Sequence, residues 1–294
     1  MNINSTVCTS CGACSKECPT FAVKKSESGF FIEREQCIEC GHCAAVCPVQ
    51  AVEGCIARPR REHLPKPADM LEFLLNKRSV RTYKAGQIRE KDLALITASA
   101  MSAATASNTM DWQLHMFSGD ILEQLRRAML NLFVKNSRLV KAALTNPLFR
   151  LIGRLTAARP YVIRKKTADT FDGYLKEIGE GRDPLLFGAP QLMVLTSPKH
   201  TAAYGPANCA IAASQMIETA FTLGIGSCMV GFAENMINLF PKIKKMTGID
   251  RKQKVFLVFT LGYSDVSFRA GPIREFPVFL NGSEYTEHKK QLKI

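Results

Sequence analysis

Eight of the eleven cysteines fall in two copies of one short pattern, and nothing else in the chain limits its folding as tightly. Cys8, Cys11 and Cys14 are each separated by two residues, Cys18 follows after three more, and Pro19 comes next; Cys37, Cys40, Cys43, Cys47 and Pro48 repeat the register. A structural zinc ion needs four thiolates in tetrahedral array and has no use for a third evenly spaced cysteine or a Cys-Pro in each copy. Two-residue spacing instead lets three thiolates reach three corners of a cubane, and the proline turns the chain so that the fourth cysteine serves the other cluster. The pattern points to two 4Fe-4S clusters with crossed ligation. Cys8, Cys11, Cys14 and Cys47 hold the first, and Cys37, Cys40, Cys43 and Cys18 the second. With four thiolates available to each cluster, His42 reads as a solvent-facing loop residue that tunes the potential.

Over about residues 1–57 the sequence resembles the bacterial two-cluster ferredoxins. The other cysteines, Cys55, Cys209 and Cys228, lie outside the repeat; the last two sit in apolar surroundings, where a thiol behaves as a small hydrophobe. The opening "MNINSTVC" carries neither a basic start nor an apolar run, and no stretch reaches the roughly 20 apolar residues of a membrane span. Reduced thiolates and the lack of a leader indicate a cytoplasmic protein without a transmembrane segment. The net charge of +13 admits an acidic partner, but a single tryptophan and no basic, aromatic-rich face argue against nucleic acid.

"ARPRREHLPKPADM" has prolines at 59, 65 and 67 and reads as a linker over 58–68. From Asp69, read as an N-cap, a helix carries Met70, Phe73 and Leu74 on one face, and "REKDLALITASAMSAA" supplies a second. Alternation in "DWQLHMF" predicts a half-buried strand, while 190–196 and 254–263 have the short, apolar, branched character of central strands. "ANCAIAASQMIETAFTLGIG" predicts a long helix ending near Gly224, and 120–185 reads as a mostly helical insertion with a basic stretch.

"KRSVRTY" at 77–83 places Lys77, Arg78, Ser79 and Arg81 at a helix end, a set suited to phosphate. Five segments then follow in one order: "RSVRTY", "AATASNTMDW", "GAPQLMVLTS", "NCAIAASQMIETAFTLGIGSCMVGF", and "LGYSD" with "GPIR" behind it. Through them the chain from about 68 to 294 resembles the FMN-dependent nitroreductase family. The resemblance implies an α+β fold over 69–294, with a central, mostly antiparallel sheet flanked by helices, behind the small ferredoxin-like domain. It also implies a homodimer that shares its flavins. Arg78, Ser79 and Arg274 would hold the FMN phosphate, and Arg81 would lie near the pyrimidine edge. Asn108 would face the ring and substrate, and Met229, Val230 and Gly231 would run along its other side.

Where the family commonly has Asn-x-Gln-Pro-Trp, this chain has Asn108-Thr109-Met110-Asp111-Trp112, and Ala104-Thr105 replaces the usual Pro-Ser. Joined to the clusters, the resemblance implies a flavin-dependent oxidoreductase. Electrons pass between two 4Fe-4S clusters and FMN to a small nitroaromatic, quinone or enone acceptor, with a ferredoxin or similar redox protein as possible partner. The alternative is a non-catalytic electron-transfer or redox-sensing adaptor that docks on a partner protein.

Overall fold

The computed structural model describes residues 1–27, 29–54, 64–145, 167–201, 203–271, 279–281 and 284–286. In the N-terminal segment the cysteine repeat becomes a structural repeat. Helices α1 (Ala13–Lys16) and α2 (His42–Ala45) each begin after a glycine in the left-handed region, Gly12 (φ 78°) and Gly41 (φ 76°). Strand β1 (Asn2–Ile3) pairs antiparallel with β4 (Val52–Glu53), and β2 (Val23–Ser26) with β3 (Gly29–Ile32). The buried core described here is small, comprising Cys14, Ala22, Val23, Cys43, Ala51 and Val52.

The larger region begins with α3 (Pro67–Asn76). Its start corrects the expectation of an Asp69 cap: Pro67 fits the first turn because its missing N–H has no helical partner there, and Asp69 lies inside as the acidic residue of that turn. Helix α4 (Glu90–Ser99) follows, and then β5 (Gln113–Ser118) and α5 (Gly119–Thr145). Past residues 146–166, which lie outside the described set, come α6 (Thr167–Gly179), β6 (Gln191–Pro198) and α7 (Gly205–Thr222). Next are β7 (Ile225–Met229), α8 (Gly231–Leu239), α9 (Pro241–Thr247) and β8 (Gln253–Tyr263). A short antiparallel pair, β9 (Phe279–Asn281) and β10 (Glu284–Thr286), ends the description.

The central sheet runs β5-β6-β8-β7 and is antiparallel throughout. Its middle strands are covered on both faces. Leu192 and Val194 pack with Leu125, Met129 and Ile237 on one side; Met193 and Leu195 pack with Ile96, Ala213, Met216 and Phe259 on the other. Three layers result, with the sheet between helices, in an α+β fold. The α7 helix ends before Gly224, which takes φ 71° as a terminating glycine does. The residues after it, Ile225–Met229, form an edge strand for which the sequence analysis gave no strand expectation.

Among the described helices none is long and apolar enough to cross a membrane. Phe259 is fully buried at the centre of one core. Phe259→Ala is expected to cost about 3–5 kcal/mol, read as a lowered urea midpoint with an unchanged slope.

Candidate functional site

Two cavities occupy the N-terminal segment. One is lined by Cys8, Cys11, Cys14 and Cys47 with Ile3, Phe30 and Val52, and the other by Cys18, Cys37, Cys40 and Cys43 with Met1, Ile32 and Ile38. The two cavities are alike in size, in keeping with a duplicated site. Each cavity thus draws three cysteines from one copy of the motif and the fourth from the other. Backbone amides point at the sulfurs in matching pairs. Ser10 N–H donates to Cys8 Sγ and Glu39 N–H to Cys37 Sγ, both at 3.4 Å; Ala22 N–H donates to Cys18 Sγ and Ala51 N–H to Cys47 Sγ, both at 3.2 Å.

To aim those amides, the chain holds Ser10, Glu39, Phe21 and Gln50 at φ between 51° and 57°, a region costly for non-glycine residues. Burial opposes ionisation of Cys18, but hydrogen bonds from Val23, Thr20 and Ala22 outweigh it and lower its pKa. Donors around an anionic sulfur suit a bound cluster. Among the described residues, no group of three or more His, Cys, Asp or Glu converges tightly enough for a single ion. Four sulfurs spread around a cavity fit a cubane, whereas zinc draws all of its ligands to one point. His42 is exposed at the rim of the second cavity.

A second cluster of candidates lies along the β7 edge of the main sheet. Ser79 forms a parallel bridge to Ser227, and Val80 N–H donates to Ser227 O at 2.8 Å. Close approach dictates the glycines here. A Cβ on Gly226 would fall 2.6–2.9 Å from the Val80 side chain, and one on Gly262 would fall 2.7 Å from Tyr83 and Pro190. Tyr83 fixes the loop from below, donating to Val80 O at 2.8 Å and pairing with Thr260 Oγ1 at 2.8 Å; burial raises its pKa.

This loop runs beside β7, with Ser79 paired to Ser227, two residues before Met229. Arg81 stacks over Phe187 at 5.7 Å. Burial pushes the Cys228 thiol up, opposed by the charge of Arg81 and a hydrogen bond with Ser79. Arg78 donates through Nη1 to the carbonyls of Leu75 and Lys77, capping α3, while its Nη2 lies against Gly271, the first residue of "GPIR". Arg274 itself is outside the described residues. Lys77 is committed elsewhere, in a 2.7 Å ion pair with Glu218. The corner therefore carries two guanidinium groups without a carboxylate partner among the described residues, a set that suits an anion.

Asn108 is not in this corner. Its loop is pinned near the far end of the sheet by Asp111, whose two oxygens accept from Asn208 Nδ2 at 2.8 Å and Ser197 Oγ at 3.0 Å. Asn208 completes the tie by accepting from Ala106 N–H at 3.2 Å. Ser107, Asn108 and Met110 all take positive φ, from 45° to 54°. The Asn108 side chain donates at 2.9 Å to the carbonyl of Ile38, between the cluster cysteines Cys37 and Cys40.

A profile of the nitroreductase family matches residues 74–263. The chain belongs to the nitroreductase family. A 4Fe-4S dicluster profile matches residues 7–52, so an iron-sulfur domain precedes the nitroreductase domain. The structure of a nitroreductase with bound FMN from Bacteroides fragilis NCTC 9343 aligns with TM-score 0.52 at 18% identity, covering 73% of this chain and 99% of that one. Another with bound FMN, from Desulfitobacterium hafniense DCB-2, aligns with TM-score 0.51 at 16% identity, over 72% and 98%. At such identities the likeness is one of fold. No curated protein matches the chain.

The nitroreductase domain shows what the departures from the family pattern do. Asp111, in place of the usual proline, supplies the carboxylate that ties the Asn108 loop to α7 and β6. Sequence reasoning missed this role, though an acid followed by the only tryptophan was its visible trace. Burial works against the charge of Asp111, but bonds from Asn208, Thr201 and Ser197 prevail and lower its pKa. A depressed carboxylate pKa stabilises above the unfolded value of about 4 and loses that contribution as pH falls through the folded value. Asp111→Ala is therefore expected to destabilise by about 1–3 kcal/mol at pH 7, with the gap to wild type narrowing below about pH 4. Trp112 fluorescence during urea unfolding at the two pH values measures it.

Proposed function

We propose that this chain is a flavin-dependent oxidoreductase in which two 4Fe-4S clusters exchange electrons with FMN, and the flavin reduces a small organic acceptor of the nitroaromatic, quinone or enone class. One observation carries the reading: the 2.9 Å bond from Asn108 to Ile38 joins the loop expected at the flavin edge to the backbone between two cluster cysteines. An adaptor that only relays electrons gains nothing from such a join. The FMN of the two aligned nitroreductases supports placing the same cofactor here.

On this reading Cys8, Cys11, Cys14 and Cys47 bind one cluster, and Cys37, Cys40, Cys43 and Cys18 the other. Arg78 and Ser79, with Arg274 from the C-terminal side, hold the phosphate. Arg78 would release its grip on the α3 carbonyls to do so. Met229, Val230 and Gly231 line one side of the ring, and Asn108 faces it. Arg81, kept in place by Phe187, stabilises negative charge at the pyrimidine edge. Bound FMN supplies an isoalloxazine that takes up two electrons and yields them as a hydride equivalent or singly.

Two copies would share the flavins. Helix α3 buries no residue, and it leaves Met70, Leu71, Leu74 and Leu75 at 36–45% exposure, an apolar face of the kind covered on association. Thiolate ligation of iron would suit a reducing compartment such as the cytoplasm, and a ferredoxin or similar protein would supply electrons.

Anaerobic protein is expected to carry about eight irons and one FMN per chain. Arg78→Glu is expected to lose FMN while keeping iron and sulfide. Dithionite or a reduced ferredoxin should bleach the flavin where NADH and NADPH do not. Protein without FMN, or flavin bleached by NADH and left untouched by reduced clusters, refutes the reading.

A further inference from the structure

The two cysteine loops are built alike but are not placed alike. The register that matches Cys8 with Cys37 also matches Val7 with Gln36, Thr9 with Ile38, Cys11 with Cys40 and Glu17 with Val46. The backbone obeys it: Ser10 and Glu39 take φ 53° and 51°, and each donates its N–H at 3.4 Å to the sulfur two residues before it. Two loops of one shape therefore stand over the two cavities, and one of them is spent. The Ile38 carbonyl accepts from Asn108 of the nitroreductase domain, and Ile38 and Cys40 are half-buried. At the matching places Thr9 and Cys11 are exposed, and among the described residues no donor reaches the Thr9 carbonyl.

The rims differ in charge as well. Around the second cavity Glu35 and Glu39 are exposed, and the exposed Glu17 precedes Cys18, which lines it. Around the first, residues 5–15 include no acidic or basic residue, and the places of Gln36 and Glu17 are taken by Val7 and Val46, 44% and 36% exposed. An iron-sulfur centre held by four thiolates is itself an anion, so a protein that brings one up is repelled by the second rim and not by the first. The net charge of +13 draws such a protein in. We propose, resting on the FMN reading above, that the face of Val7, Thr9, Cys11 and Val46 is where electrons enter, and that it docks a one-electron iron-sulfur protein of the ferredoxin type. The cluster of Cys8, Cys11, Cys14 and Cys47 takes up each electron, and the cluster of Cys18, Cys37, Cys40 and Cys43, whose loop is joined to Asn108, passes it on. In each encounter the partner's centre is oxidised by one electron and the first cluster reduced by one, with no bond made and no proton moved. Two such electrons and one proton from solvent bring FMN to its two-electron-reduced anion, and both clusters return to their oxidised state.

Single charges placed on either rim of the full-length protein test this, with oxidation of a reduced 2Fe-2S ferredoxin followed by stopped flow in its own visible bands. Val7→Glu, alone or with Val46→Glu, is expected to slow that oxidation about tenfold at low salt, and Val7→Lys to speed it by a similar factor. Both effects should fade as salt is raised, because exposed charges are screened beyond about 10 Å at 0.1 M. Gln36→Glu and Gln36→Lys, at the matching place on the second rim, should leave the rate unchanged. Dithionite, a small reductant that needs no docking face, should reduce all variants alike, with iron content and cluster EPR signals as in wild type. Equal effects at positions 7 and 36, an effect at 36 alone, no effect at either, or a wild type that leaves the ferredoxin reduced overturns the proposal. Protein that purifies with iron but no flavin strikes the FMN reading instead and leaves these ferredoxin rates readable, so the two failures are told apart.

Discussion

A strand buried on both faces admits one register. In β6 every residue from Gln191 to Ser197 is buried, alternate side chains entering opposite cores, and a slip by one position would exchange those two sets. The pairing of β6 with β5 and β8 thereby fixes where everything else hangs. The Arg78–Arg81 loop is held against β7 at one corner, and the Asn108 loop is tied to the end of β6 at the other. Both loops are built from residues with little core to bury, so their positions derive from the sheet and not from packing of their own. The division of the candidate site between two corners follows from the register alone.

Polar contacts then sharpen what the sheet has placed. Lys77 pairs with Glu218 and holds the end of α3 to α7, which takes one cation out of the anion corner and leaves two. Asp111 binds Asn208 and Ser197 in place of the constraint a proline would have given. A proline would fix only its own φ, whereas the carboxylate ties three elements together, and it holds a loop in which Ser107, Asn108 and Met110 all occupy the left-handed region. Such strained backbone persists where its surroundings over-determine it.

The grouping of the cysteines was legible in the sequence because spacing over a few residues is local chemistry, and the fold brings the same eight residues to two cavities, four to each. The strands β5, β6 and β8 were legible from alternation or apolar runs. Ile225–Met229 was not: Gly226 and Ser227 dilute its strand character, and Gly226 is present because Val80 approaches too closely for a side chain. The Pro67 start of α3 lay within what read as linker. Lys77 read, with Arg78, Ser79 and Arg81, as part of a set suited to phosphate, and only the fold brings Glu218 to it. The Asn108–Ile38 bond spans 70 positions and has no sequence signature, since any carbonyl accepts from an amide.

That bond also couples cofactor loading to the larger domain. Among its described residues the N-terminal segment buries six, Cys14, Ala22, Val23, Cys43, Ala51 and Val52, two of them cysteines that line the cavities, a small core with which to hold loops at φ near 50° against their intrinsic preference. Clusters bound there contribute folding energy directly. On the proposed reading, loss of the clusters would release Ile38 from its place and take from Asn108 the acceptor for its amide. The nitroreductase sheet, with two cores of its own, is indifferent to that loss. On the reading proposed above, oxidative damage to the iron would disconnect the flavin edge from its source of electrons while the larger domain stays folded, because the interruption falls at one hydrogen bond and not in the core.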